Sequence, residues 1–114
     1  MKASDLENHE RLLLSRRRKG ESQPAAATRL GVTLYRYRQM EAGNAPCKRL
    51  PVGQLRPHEE CFLLRRRAGM EVGQIAELIG CSNWWLIRME KGRERPDDLV
   101  AFWKSPRGRK LAAA

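Results

Sequence analysis

Three kinds of side chain in this 114-residue chain can do chemistry beyond packing: three cysteines, two histidines, and arginines and amides crowded into short stretches. Cys47, Cys61 and Cys81 are odd in number, far apart and form no CxxC, so neither a disulfide framework nor a zinc site is expected. Cys61 and Cys81 read as small core residues. His9 and His58 have no cysteine or second histidine at ligand spacing and read as helix-surface residues. No nucleophile–base set, phosphate-cradling loop or metal site is visible, which argues against an enzyme and against any cofactor. What remains are clustered basic and amide side chains, and charge alone does not choose between DNA, RNA and an acidic protein as their partner. Leu34, Tyr35, Arg36, Arg38 and Gln39 lie close together, and Asn83, Trp84 and Arg88 form a second such group. An arginine fork matches the two acceptors on the edge of guanine, and an Asn or Gln amide matches adenine, at about 1–3 kcal/mol per good pair.

Composition agrees with that chemistry. The chain holds 23 Lys+Arg against 13 Asp+Glu, a net charge of +10, and so attracts polyanions. A hydrophobic fraction of 41% is enough for a packed core. No apolar run approaches the ~20 residues that span a bilayer. The acidic stretch Met1–Glu10 has no apolar signal core, so a cytoplasmic protein is expected, at the bacterial nucleoid or in a host cell if phage-encoded.

The chain also repeats itself. Sliding it by 49 residues aligns Leu6–Gly43 with Leu55–Gly92 without a gap, and 13 of the 38 pairs are identical, including His9/His58, Glu10/Glu59, Arg16/Arg65, Gly31/Gly80, Glu41/Glu90 and Gly43/Gly92. Each unit reads as helices only, with no sustained period-2 stretch and no hairpin dipeptide. In the first, Ser4-Asp5-Leu6-Glu7 has the form of a capping box opening a helix that stops at Gly20. Ser22 caps a second helix with Pro24 in its first turn; it ends at Gly31, and Thr33 caps a third that ends near Gly43. The second unit repeats this with Pro57, Gly69, Gly80, Ser82 and Gly92.

The second and third helices of each unit are joined by a very short glycine turn. Ala27 and Ala76 let the two helices cross closely, and Gly31 and Gly80 permit a backbone turn that other residues resist. Val32, Tyr37 and Met40, matched by Cys81, Leu86 and Met89, then plug the shared core. In these residues the chain resembles the Cro/C1/Xre-type helix-turn-helix domains: Gln23-x-x-x-Ala27-x-x-x-Gly31-Val32-Thr33 followed by Met40-Glu41-Ala42-Gly43, and Gln74-Ile75-Ala76-x-x-x-Gly80-Cys81-Ser82 followed by Met89-Glu90-Lys91-Gly92. The resemblance covers residues 4–103. It implies an all-α fold of two tandem lambda-repressor-like bundles, a first unit over residues 1–50 and a second over 51–104; beyond it, residues 105–114 themselves read as a basic disordered tail. It further implies buried structural ion pairs Arg16–Glu41 and Arg65–Glu90. Pro51 is expected to cut off a fourth helix in the first unit, whereas Pro96–Trp103 can form one in the second.

On this resemblance the expected partner is a double-stranded DNA operator, and the expected function is that of a sequence-specific transcriptional regulator, a repressor of phage or mobile-element type. The expected base contacts are Leu34, Tyr35, Arg36, Arg38 and Gln39 in the first unit and Asn83, Trp84 and Arg88 in the second. The expected phosphate contacts are Gln23, Arg17, Arg18, Thr33, Asn44, Lys48 and Arg49, with Gln74, Ser82 and Arg93 in the second unit. Arg17 and Arg18 read equally as a solvated face. Charge is unequal: residues 11–49 hold ten Lys+Arg and two acids, residues 56–104 nine and eight, which makes the first unit the better DNA reader. Adjacent Trp84 and Trp85 cannot both face one core, so the second unit has three readings: contact with DNA, packing against the first unit, or an interface. The alternative function is an antitoxin-like interaction module whose second unit dimerises or binds a protein through Trp84/Trp85.

Overall fold

The computed structural model describes residues 1–113, and every regular element among them is helical. The chain divides into two compact units after Gln54, rather than after residue 50. Residues 51–54 belong to the first unit because Arg18 reaches them: its guanidinium donates to the Val52 carbonyl and, at 2.9 Å, to the Gln54 carbonyl.

In the first unit α1 runs Asn8–Lys19, α2 Gln23–Leu30 and α3 Leu34–Ala42. Ser4 does not open α1. Ala3–Asp5 forms a single 3-10 turn, and Leu6 then turns extended and buried. The helix starts two residues later because the buried Glu10 carboxylate accepts the Glu7 N–H at 3.0 Å, satisfying a donor the first turn cannot. Ser22 caps α2 by accepting from Ala25 N, and Thr33 caps α3 by accepting from Arg36 N at 3.1 Å. Between them Gly31 takes φ +68, a left-handed turn that an L side chain resists. Leu12, Ala26, Ala27 and Tyr37 form the buried core, with Val32, Met40, Cys47 and Leu50 half-buried around it. No helix follows α3 within this unit.

In the second unit α4 runs Pro57–Arg67, α5 Val72–Ile79, α6 Asn83–Glu90, α7 Asp97–Lys104 and α8 Pro106–Ala113. Glu59 repeats the role of Glu10, accepting the Arg56 N–H at 2.9 Å, and Ser82 repeats that of Thr33, accepting from Trp85 N at 3.1 Å. The α7 helix lays Leu99 and Trp103, one turn apart, onto a core of Cys61, Ile75, Ala76, Leu86 and Met89. Burying each of the large apolar side chains is worth about 1.5–3 kcal/mol, so α7 is a principal source of this unit's stability.

The expected disordered tail is instead helix α8 over residues 106–113; Ala114 lies outside the described residues. Ser105 accepts the Gly108 N–H at 3.2 Å, Pro106 sits in the first turn, and Leu111 packs against the core. The basic side chains Arg107, Arg109 and Lys110 are carried on the exposed side. Close approach of α8 to α7 depends on Gly108: a Cβ there would lie 2.2 Å from the Phe102 carbonyl oxygen and 2.7 Å from the Trp103 Cα. Gly108→Ala is therefore expected to displace α8 and destabilise the second unit by about 1–3 kcal/mol. Faster amide hydrogen exchange in residues 97–113 checks this; an unchanged exchange profile would show that α8 contributes no packing.

No helix among the described residues is long and apolar enough to cross a membrane.

Candidate nucleic-acid interface

The face of interest is the outer side of α3. Its orientation is fixed from below by a network around Glu41, which is buried at the end of the helix. Arg16 on α1 donates from Nε (2.6 Å) and Nη2 (3.2 Å) to the two carboxylate oxygens. The Tyr37 hydroxyl donates at 2.6 Å and the Gln23 amide at 3.0 Å. The remaining Arg16 nitrogen, Nη1, donates to the Glu21 carbonyl, so one guanidinium ties α1, the α1–α2 turn and α3 together. Burial pushes the Glu41 carboxyl up, but the hydrogen bonds from Arg16, Tyr37 and Gln23 outweigh it and hold the group below its ordinary value. Burial and the bond to Glu41 push the Tyr37 hydroxyl far above its ordinary value, so it remains a donor.

The second unit repeats half of this. Arg65 donates to Glu90 at 2.8 and 2.9 Å and to the Met70 carbonyl at 3.0 Å. Where the first unit has Gln23 and Tyr37, the second has Val72 and Leu86, which have no hydrogen-bonding side chain. The two changes go together.

With Tyr37 turned inward, α3 presents Tyr35, Arg36 and Arg38 to solvent; Tyr35 is 74% exposed. Leu34 and Gln39 are half-buried rather than fully outward. The Arg36 guanidinium has no hydrogen-bond or ion-pair partner among the described residues, and Arg38 has only a long 3.4 Å contact to the Gln23 amide oxygen. The one carboxylate on the helix, Glu41, is buried, so the exposed face carries cationic and aromatic side chains and no acid. Asn44 donates to the Gln39 amide oxygen at 3.2 Å, setting that amide at the far end of the same face. Lys48 and Arg49 are exposed just beyond. The other acid of the region, Glu21, is taken up by Arg29 at 2.9 Å.

Two residues expected to meet phosphate are placed otherwise. Arg18 is spent on the carbonyls of Val52 and Gln54, and both ends of the Gln23 amide are engaged by Glu41 and Arg38. Thr33 sits at the start of α3 with its oxygen capping the helix, and Arg17 is half-buried on α1.

In the second unit Asn83, Trp84 and Trp85 are all exposed, and Ile87 with them; Trp84 is 63% exposed. The tryptophan rings lie 6.2 Å apart. Arg88, expected to face a base, is instead held between neighbours. It donates twice to Glu94 Oε1, at 3.0 and 2.8 Å, and its guanidinium carbon lies 4.9 Å from the Trp84 ring centroid. Gln74 gives its amide oxygen to the Glu71 N–H as a helix-start bond at 2.8 Å. Arg93 and Ser82 are exposed. The outer face of α6 is thus largely apolar, where that of α3 is cationic.

Sequence reasoning missed several positioning residues. Arg11 is buried and donates to the carbonyls of Ala3 (2.7 Å), Leu6 (3.3 Å) and Leu50 (3.1 Å), which holds the chain ends of the first unit against α1. Nothing in its local sequence distinguishes it from its basic neighbours. His9 and His58 are half-buried rather than surface residues. Each lies against the left-handed glycine that ends α3 or α6: a Cβ on Gly43 would come within 3.1 Å of His9, and one on Gly92 within 2.7 Å of His58. Their identity in both repeats was the available signal. The thiols are free, and burial pushes that of Cys61 up to about 12, so it is a core group rather than a nucleophile or ligand. No group of three or more potential metal-ligating side chains occurs among the described residues.

No family model, curated protein or solved structure matches the chain.

Proposed function

We propose that the chain is a sequence-specific double-stranded-DNA-binding regulator in which α2 and α3 act as a helix-turn-helix and α3 reads the major groove. The observation that carries this reading is the outer face of α3. Tyr35, Arg36 and Arg38 stand exposed with no exposed carboxylate on the helix, on an element braced from beneath by Arg16, Glu41 and Tyr37. A guanidinium that is not already paired can bond guanine without first losing an internal partner. Lys48 and Arg49 extend the same charge towards the phosphate backbone. Membership of the Cro/C1/Xre type and a repressor role belong to the same proposal and rest on the repeated motif.

Binding to duplex DNA is expected to weaken steeply with salt. About four or five neutralised phosphates correspond to a log–log slope near −4, at about −0.9 per contact. Titration of labelled duplex with the full chain between about 50 and 200 mM salt reads the slope; a value near zero contradicts a phosphate-bound complex.

For α6 a different observation favours a second reading. Arg88 is already bonded to Glu94 and stacked on Trp84, while Trp84, Trp85 and Ile87 form an exposed apolar face. That face suits a protein interface, either a homodimer or a partner protein, better than a base-reading one. Changing Trp84 and Trp85 together to Ser is expected to lower the oligomeric mass or abolish capture of a partner, while salt-dependent DNA binding by the first unit persists. Light scattering and DNA titration on the same sample separate the two; loss of DNA affinity at unchanged mass would make α6 a second reader.

A further inference from the structure

The two units are copies, yet only the second has a helix packed after its third repeat element. In the second unit α7 seats Leu99 and Trp103 against a cluster that includes Cys61, Ile79, Cys81 and Met89. The 49-residue offset converts those four positions into Leu12, Leu30, Val32 and Met40. In the first unit these same four side chains line an open apolar groove of about 340 Å³. Cys47 and Leu50 from the segment after α3 close part of it. Leu50 stands at the offset position of Leu99, but the offset position of Trp103 is Gln54, so the large aromatic plug has no counterpart. Val32 and Met40 are accordingly left half-buried, and Leu30 is 41% exposed.

The charges around the groove are inverted relative to the covered copy. The first turn of α7 carries Asp97 and Asp98; burial, and after it the nearby Asp98 carboxylate, raises the Cys81 thiol. At the corresponding positions the first unit has Lys48 and Arg49, and Lys48 lines the groove together with Arg36. A cationic rim on an apolar trough attracts a helix whose first turn is acidic and which carries two large apolar residues one turn apart. The second unit displays a helix of that kind on the equivalent seat.

We propose that the groove of the first unit, beside the segment that holds Cys47 and Leu50, is a docking site for such an acidic amphipathic helix from a partner protein, whose large aromatic residue fills the place for which the first unit has no counterpart of Trp103. This does not depend on the DNA-binding reading. Its consequence does: Arg36 and Lys48 serve both surfaces, so on that reading helix docking and DNA binding exclude one another.

The probe is a terminally blocked peptide of residues 96–105, titrated into the full chain and followed by amide resonances. Short isolated helices are marginal in water, so binding in the high micromolar to millimolar range is expected. Saturable shifts should centre on Leu12, Leu30, Val32 and Met40. They should weaken by about two- to fivefold with Lys48→Glu and with a peptide carrying D97K and D98K, as loss of a rim charge pair implies. Leu30→Glu, at an exposed helix end, should abolish them without unfolding the protein. Absence of shifts, shifts confined to residues 55–113, or equal binding of the charge-reversed peptide overturns the proposal. Movement of the same resonances with protein concentration alone, accompanied by a doubled mass, assigns the groove to a second copy and also overturns it. Competition with duplex DNA, measured separately, tests only the mutual exclusion.

Discussion

Replacing Glu41 with alanine is expected to destabilise the first unit by about 3–5 kcal/mol, the cost of leaving one partner of a buried ion pair uncompensated. The carboxylate is 3% exposed and accepts from Arg16, Tyr37 and Gln23. Its removal leaves a half-buried guanidinium without its carboxylate and a buried hydroxyl without its acceptor, each with its own desolvation cost. Tyr37→Phe, which removes a single donor to a charged acceptor, is expected to cost less, about 1.5–3 kcal/mol. The units are spectroscopically separable because all three tryptophans, Trp84, Trp85 and Trp103, lie in the second and both tyrosines in the first. Urea unfolding followed by helical circular dichroism and by tryptophan fluorescence therefore assigns the loss. A change under about 1 kcal/mol would mean that the network does not hold α3 in place.

The same network sets a pH dependence. Because the folded state holds the Glu41 carboxyl below its ordinary value, its contribution is fully present above the ordinary carboxylate range. It is lost as pH falls through that range towards the lowered folded value. Wild-type stability should thus decline on acidification more steeply than that of Glu41→Gln, which has no such proton to gain.

The second large effect concerns binding. Arg36→Ala and Arg38→Ala are each expected to weaken affinity for the preferred duplex by about 1–3 kcal/mol, roughly 5- to 150-fold. Both side chains are exposed, and neither is part of the core or of an ion pair among the described residues, so unfolding midpoints should stay nearly unchanged. Arg88→Ala provides the contrast. Its guanidinium is held by Glu94 and Trp84, and its loss should leave affinity largely intact. Equal losses from Arg36 and Arg88 would mean that the two outer helices read DNA alike, against the asymmetry seen here.

Much of this arrangement is legible in the amino-acid sequence. The repeat, the glycine turns at Gly31 and Gly80, the caps at Thr33 and Ser82 and the α7 segment all carry local signals that depend on few neighbours. The start of α1 is not legible from the Ser4–Glu7 pattern, because the burial of Leu6 and Glu10, which moves the helix start to Asn8, depends on tertiary packing. The helix α8 was missed although Ser105-Pro106 is a helix-start signal. The run of basic residues outweighed it, and the packing role of Gly108 needs the third dimension. Of the five candidate contacts that the resemblance implies on α3, Tyr35, Arg36 and Arg38 are exposed, while Leu34 and Gln39 are half-buried. The diversion of Arg18 to Val52 and Gln54 and of Arg88 to Glu94 does not follow from the sequence, because an arginine's partner is set by whichever acceptor the fold brings within reach.

Selection of bound sequences from a random duplex library, run in parallel with the full chain and with its Arg36→Ala variant, tests the central claim most directly. The account predicts an enriched motif containing at least one guanine position that the variant no longer specifies, while the flanking positions persist. No enriched motif from the wild-type chain, or one identical with and without Arg36, would contradict it.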